Sequence, residues 1–451
     1  MRTRLLGGVL AAFVAAGTGA PAAAVSPPDI EAIPLTTPDD PAPAPLVPMR
    51  QRSVCATSAT LQDSTFERQP PANVAFDVNN LHSIATGKGV TVAVIDSGVS
   101  PNARLPRLAG EGDYIGTTHG LEDCDHHGTL VAGIIAAAPS PSDGFVGVAP
   151  DANLISIRQT SAAYEPENRD GQNPPGGSST LSTLAKAVVH AANKGAKVIN
   201  LSVTACFPQD EFVDTSDIAA ALKYAVDGRD AVVITSAGNS DSQTCTSNAQ
   251  YDPTNASDPR NWSGVSKISM PSFYSPLVLS VGGTTLTGTP YTGTMAGPWV
   301  SVGAPAVDIV SLDPTKGDTG GLTNATVGDD GPRPITGTSF ASAYVAGLAA
   351  LIRGKHPNLS AREVRDRIIN TAHATGDGTR NYLGAGVVDP IAALTYQTAD
   401  VPVLTAPPSR ADNRVIAEPH PNRARNITIG IVVSGCVLAV LGGWCRTAVS
   451  A

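Results

Sequence analysis

Val90-Thr91-Val92-Ala93-Val94-Ile95-Asp96-Ser97-Gly98 is the stretch on which the fold turns. From Val90 to Ile95 the residues are apolar or β-branched with no polar alternation, as in a strand covered on both faces. An acid follows at the carboxyl end. The pattern repeats in Leu154-Ile155-Ser156-Ile157, Lys197-Val198-Ile199-Asn200-Leu201, Ala231-Val232-Val233-Ile234-Thr235 and Leu277-Val278-Leu279-Ser280-Val281. Helical signals fill the gaps. They are a small-residue run over 128–138, the spaced Leu181, Leu184, Val188 and Ala192 stopped by Gly195, a helix over 218–226, and two helices after Ser339 ending near Ile369. Strands alternating with helices predict an α/β fold: a doubly wound, mostly parallel sheet with helices on both faces and a site at the carboxyl ends of the strands.

The chemical groups fall at those ends. Asp96 ends the first strand and is rigidly aimed, although Asp-Ser-Gly also reads as a turn. His127 lies in His126-His127-Gly128-Thr129-Leu130-Val131-Ala132-Gly133. It opens a helix of small residues, so its ring can project into a cleft while the helix packs closely. His126 beside it reads as a supporting or exposed residue. Ser339 lies in Gly337-Thr338-Ser339-Phe340-Ala341-Ser342-Ala343-Tyr344-Val345-Ala346-Gly347. A serine at a helix N-terminus has a free backbone N–H and meets the positive end of the dipole, which suits an oxyanion forming beside a nucleophile. The plainer reading is an N-cap. Asn239, in Thr235-Ser236-Ala237-Gly238-Asn239, follows another strand end, and its amide can donate to the same oxyanion. Cys124, Asp125, His126 and His127 are too adjacent to surround one ion, so no metal site is expected.

The flanks carry location signals. Arg2 and Arg4 precede an apolar run over 5–14, and Ala20-Pro21-Ala22 and Ala22-Ala23-Ala24 are cleavage candidates. Residues 1–24 therefore read as a signal peptide; the run is short for the alternative, an uncleaved anchor. Residues 25–75 form a Pro-rich arm, 76–397 the folded domain and 398–426 a Pro-rich linker. Residues 427–444 lack charge and suit a short transmembrane helix, leaving 445–451 as a cytoplasmic tail. Arg410, Arg414, Arg423 and Arg425 before that helix, against Arg446 after it, argue for the reverse orientation; the export signal overrides them by committing the preceding domain to translocation. The expectation is a single-pass protein of the cell membrane with its domain on the extracytoplasmic side. Cys55, Cys124, Cys206 and Cys245 then lie where disulfides persist, and four cysteines allow three pairings. Cys436 and Cys445 sit in or beside the expected membrane helix and read as free thiols or lipid-facing residues. The net charge of −9, with no basic block, excludes nucleic acid as an expected partner. Polar insertions over 158–180 and 240–267 are candidates for contacting partners or shielding a cleft.

Asp96, His127, Asn239 and Ser339, in that order and each within its own multi-residue pattern, resemble the subtilase family of serine proteases. The resemblance runs over about residues 85–395 and includes Gly384-Ala385-Gly386-Val387-Val388-Asp389, which is similar to the family's closing segment. It implies a subtilisin-like fold, a catalytic triad of Asp96, His127 and Ser339, an oxyanion hole with Asn239, a protein or peptide substrate, and no cofactor. Some subtilases bind structural calcium, which nothing in this sequence indicates. Leader, arm, protease domain, linker and membrane helix together resemble the mycosins, membrane-anchored proteases of type VII secretion systems. That likeness implies membership of the secretion membrane complex, pairs Cys55–Cys124 and Cys206–Cys245, and an arm that stays packed on the domain. One departure concerns the substrate cleft. Many subtilases have Ser-x-Gly there, and this chain has Ser202-Val203-Thr204. The added Thr204 side chain predicts a narrow S1 pocket. An α/β-hydrolase reading, with Asp366 and His373 after Ser339, fails because Gly337-Thr338-Ser339-Phe340-Ala341 lacks the final Gly. The other reading is a structural subunit of the secretion complex with proteolysis secondary.

Overall fold

The strand at Val90–Ile95 is buried because other strands flank it and helices cover it. In the computed structural model it is β1 (Thr91–Asp96), buried from Val92 onward. The structure describes residues 24–167, 180–240 and 244–396. The expected signal peptide over 1–24, apart from its last residue, and the expected linker over 398–426, transmembrane helix over 427–444 and tail over 445–451 lie outside the described residues. Among the described residues no helix is long and apolar enough to cross a membrane.

Six more strands complete one sheet: β2 (Leu108–Asp113), β3 (Asn153–Arg158), β4 (Val198–Leu201), β5 (Val232–Ser236), β6 (Val278–Thr284) and β7 (Val302–Pro305). All pair in parallel, in the order β7-β6-β5-β4-β1-β3-β2. Every residue of β4 to β7 is buried, and since side chains alternate between faces, both faces are covered. The chain adds β2 and β3 on one side of β1, then crosses over to add β4 to β7 on the other. That reversal opens a crevice at the carboxyl ends of the central strands. Two strands are illegible as sequence. β2 reads Leu-Ala-Gly-Glu-Gly-Asp and β7 reads Val-Gly-Ala-Pro. Both stand at the edges of the sheet with one strand beside them, β7 being held further by a single parallel bridge from Gly303 to Val387, so neither needs the β-branched run that marks a central strand.

The helices of eight residues or more, among the described residues, are α1 (His127–Ala136), α2 (Leu181–Asn193), α3 (Ser216–Lys223), α4 (Thr338–Lys355) and α5 (Ala361–Asn370). α1 and α4 pack on each other and on the sheet, and α2 packs with α3. α4 is buried all round from Thr338 to Arg353, which is why it shows no amphipathic stripe. Capping boxes at Thr180–Thr183 and Ser360–Glu363 start α2 and α5, each such cap contributing about 1 kcal/mol. α3 stops at Lys223, short of the expected Val226, and a wider π turn over Tyr224–Gly228 follows. Within that turn Tyr224 reaches α2, its hydroxyl donating to Asn193 Oδ1 at 2.7 Å.

Residues 24–75 hold few regular elements but many fixed contacts. The strand Met49–Gln51 pairs antiparallel with Tyr164–Pro166, and Ser58–Ala59 pairs with Ala325–Thr326. Lys223 Nζ donates to the Ile30 carbonyl oxygen at 3.2 Å, and Asp40 Oδ1 lies 2.8 Å from His190 Nδ1 on α2. Asn73 is buried between the Val146 carbonyl oxygen and the Tyr344 hydroxyl of α4. The segment over 240–267, where described, is a series of turns. Cys245 and Trp262 anchor it against Met295, Trp299 and Phe273.

Candidate active site

Asp96 is the last residue of β1 and is 1% exposed. Its Oδ1 accepts from Ser97 N at 2.7 Å, from Ser97 Oγ at 3.2 Å and faces His127 Nδ1 at 2.7 Å. A carboxylate on Nδ1 leaves Nε2 as the free basic nitrogen of the neutral ring. His127 is the first residue of α1, and His126 before it takes φ +64° as N-cap. This backward turn delivers the His127 ring to the carboxyl end of β1. Close approach makes it feasible: a methyl at Gly128 would overlap the Gly98 carbonyl oxygen. The His127 side chain is 34% exposed, so one edge is open to solvent. Burial pulls its pKa down, but the charge and hydrogen bond of Asp96, with Asp123 and Asp125 behind, outweigh that and bring it to about 8.

Ser339 is the second residue of α4 and 6% exposed. The cap of that helix is Gly337, not a serine, at φ +145°, a conformation that L residues avoid. Ser339 Oγ donates to the Ser202 carbonyl oxygen at 3.3 Å, and Ser202 Oγ donates back to the Ser339 carbonyl oxygen at 3.2 Å. Asn200 Nδ2 holds Ser202 Oγ at 2.7 Å. The Phe340 ring stacks obliquely on His127, centroids 5.3 Å apart, so α4 and α1 meet at the crevice. Asn239 Oδ1 accepts from Thr338 N at 3.0 Å and Thr338 Oγ1 at 3.1 Å. Because a backbone N–H can only donate, this bond decides which end of the amide is oxygen and leaves Nδ2 as the free donor beside the start of α4. Asp96, His127, Asn239 and Ser339 thus converge on one crevice from β1, α1, the end of β5 and α4.

The cleft residues lie alongside. Val203 is partly buried against the core. Thr204 Oγ1 is 3.0 Å from Ser236 Oγ, a contact from the β4 exit to the end of β5. The cysteines are joined Cys55–Cys124 and Cys206–Cys245, the pairing that the resemblance implies. Cys124 is therefore not available as a metal ligand. His126 is buried rather than exposed, its Nδ1 2.8 Å from Ser58 Oγ of the arm.

Sequence reasoning passed over one buried acid. Asp123 accepts from Ser97 Oγ at 2.8 Å, Thr129 N at 2.8 Å and Thr129 Oγ1 at 2.7 Å. Its burial pushes the carboxyl up to about 6 despite those bonds. The available signal was an acid just ahead of a helix start, where it can bond the orphan N–H groups of the first turn.

The family model described as the subtilase family matches residues 87–386. Mycosin-1 of Mycobacterium tuberculosis (strain ATCC 25618 / H37Rv) is 44% identical over 443 residues, covering 96% of this chain and 96% of that protein. The chain belongs to the subtilase family. It is a serine endopeptidase by that membership, with the subtilisin-like α/β fold, and its likeness is to mycosins. Among solved structures, a serine protease MycP1, described as an essential component of the type VII (ESX-1) secretion system, is 46% identical. It covers 82% of this chain and 100% of its own, with a TM-score of 0.76. A chain in an intact ESX-5 inner membrane complex is 38% identical, covering 94% of this chain and 100% of its own, with a TM-score of 0.77. This subtilase carries its candidate site within residues 87–386, matched by the family model, while residues 25–75 and those after 397 lie outside that match.

Proposed function

We propose that Ser339 is the nucleophile of a peptide-bond hydrolysis in which His127 is the general base and Asp96 orients it. The observation that carries this is the 2.7 Å bond from buried Asp96 to His127 Nδ1 at the mouth of the crevice that Ser339 borders. Substrate entry turns Ser339 Oγ from the Ser202 carbonyl toward His127 Nε2; such bonds commonly tighten only when substrate binds. Ser339 Oγ attacks the scissile carbonyl, His127 takes its proton and returns it to the leaving amine, and Asp96 stabilises the imidazolium. Asn239 Nδ2 and the Ser339 N–H hold the oxyanion. Thr204, bonded to Ser236 at the exits of the neighbouring strands β4 and β5, narrows S1 and restricts specificity. By likeness to the ESX-1 protease, the substrates are proteins handled by a type VII secretion system. The enzyme then acts on the outer side of the cell membrane, anchored by residues 427–444, with the arm over 25–75 as a lasting part of the domain. Labelling with a fluorophosphonate should modify Ser339 and fail in His127→Ala; a folded wild-type chain that stays unlabelled would sink the triad.

A second reading has its own support. A similar chain is found within an intact inner membrane complex, which fits a structural share in the assembly. Ser339→Ala would then sustain secretion while deletion of the chain abolishes it. Equal loss in both would leave proteolysis as the essential contribution.

A further inference from the structure

We propose that Asp123 is a positioning residue for the triad: its buried carboxylate clamps the exit of β1 to the first turn of α1 and adds its charge to that of Asp96 in holding the His127 imidazolium. The inference rests on the reading of Asp96, His127 and Ser339 as the triad.

The clamp is built from both carboxylate oxygens. Oδ1 accepts from Ser97, the residue after Asp96, and Oδ2 accepts from the backbone and hydroxyl of Thr129, two residues after His127. Gly128 N donates to Ser97 Oγ at 3.0 Å, so the residues following Asp96 and His127 are tied directly as well. Thr129 Oγ1 accepts in turn from Ser100 N at 2.9 Å. Every Asp123 bond therefore joins the two backbones that carry the Asp96–His127 pair.

Hydrogen counting adds an electronic role. Ser97 has one hydroxyl hydrogen and two carboxylates within reach, Asp123 Oδ1 at 2.8 Å and Asp96 Oδ1 at 3.2 Å. With Asp123 ionised, the hydrogen goes to the nearer oxygen. Asp96 Oδ1 then accepts only from Ser97 N and His127, and stays a strong acceptor for the ring. With Asp123 protonated, its own hydroxyl donates to Ser97 Oγ, and the Ser97 hydrogen turns to Asp96, competing with His127. The charged groups around this cluster are few. Asp96 faces it from β1, His127 from α1, Asp125 and His126 from the same loop, and Asp313 faces His126 from the segment beyond Ser311–Leu312.

Asp123→Asn separates this from a purely structural role. The Thr129 N–H requires the amide oxygen, so the new NH₂ must face Ser97 and imitate the protonated acid permanently. In the full chain, the rate of fluorophosphonate labelling of Ser339 should rise with pH to an inflection near 8, the value to which His127 is pushed. In Asp123→Asn the inflection should fall by about half a unit or more, as expected on removing a nearby negative charge. An inflection that stays in place or rises overturns the proposal while leaving the triad standing. A wild-type chain that never labels sinks the triad itself. A second readout needs no variant. The proton on His127 Nδ1, seen far downfield by NMR, should titrate in two steps, near pH 8 for the ring and near pH 6 for Asp123. A single step overturns the proposal even if Asp123→Asn does not fold.

Discussion

As the proposed base, His127 can act only while its ring is neutral. Its pKa is raised to about 8, so the neutral fraction, and with it turnover, should grow through that pH and fall about tenfold per unit below it. A kcat/KM profile levelling off near 6.5 would mean that the surrounding carboxylates do not act on the ring. Asn239 can be tested separately, because its Oδ1 is spent on Thr338 and only Nδ2 is free for an oxyanion. Asn239→Ala should retain the fold and slow acylation by about 10²–10³; an unchanged rate removes it from the site. The proposed role of Thr204 is in specificity rather than rate. Thr204→Gly deletes the side chain that meets Ser236 and should raise cleavage after bulky P1 residues about tenfold or more in a peptide library. No gain would place the restriction elsewhere in the cleft. The candidate nucleophile, base and oxyanion donor were legible because each sits in a contiguous pattern at a strand end or helix start. Asp123 was less legible, since its place ahead of a helix start is common to many capping acids and its other partner, Ser97, is 26 residues away.

Elements matter through their ends. β1 delivers Asp96, β5 leads into Asn239, and the first turns of α1 and α4 carry His127 and Ser339. The join between β1 and α1 is the tightest of these, because Gly128 backs directly on Gly98 and also approaches Asp96 Cβ. Gly128→Ala should destabilise the chain by about 3 kcal/mol and lower Ser339 labelling, since backbone rather than a flexible side chain would have to move. Urea unfolding alongside labelling checks it; full stability with full labelling would show that the join has slack. Element edges were the least legible part. β2 and β7 escape a reading based on β-branched runs because they stand at the sheet edges and are stabilised by one neighbouring strand, by the helices over them and, for β7, by a bridge to Val387, and α3 ends early where a π turn carries Tyr224 to α2.

Across the whole molecule, the arm is tied to the catalytic loop at two points close together. Cys55 is bonded to Cys124, three residues before His127, and Ser58 meets the His126 ring. The cross-link spans a sequence separation of 69, for which loop-closure entropy gives about 4 kcal/mol of stabilisation. Replacing both Cys55 and Cys124 by Ser should cost roughly that much in urea unfolding and also slow Ser339 labelling, because the loop before His127 loses its anchor. A stability loss with unaltered labelling would make the cross-link purely structural.

Residue patterning along the chain defines the class of fold and the strand and helix ends at which the candidate residues stand. A short apolar run rich in β-branched residues reads as a strand buried on both faces, whereas the small-residue run of α4 is a buried helix, and a residue that follows such a strand is held at the sheet's carboxyl edge. Tertiary structure alone decided what meets what there. Thr204 reaches Ser236 across 32 positions of sequence, Ser97 joins two carboxylates from different elements, and His126 is buried by an arm that sequence patterning leaves shapeless. Periodicity records which face of an element is covered, whereas the identity of the covering group depends on how distant elements dock.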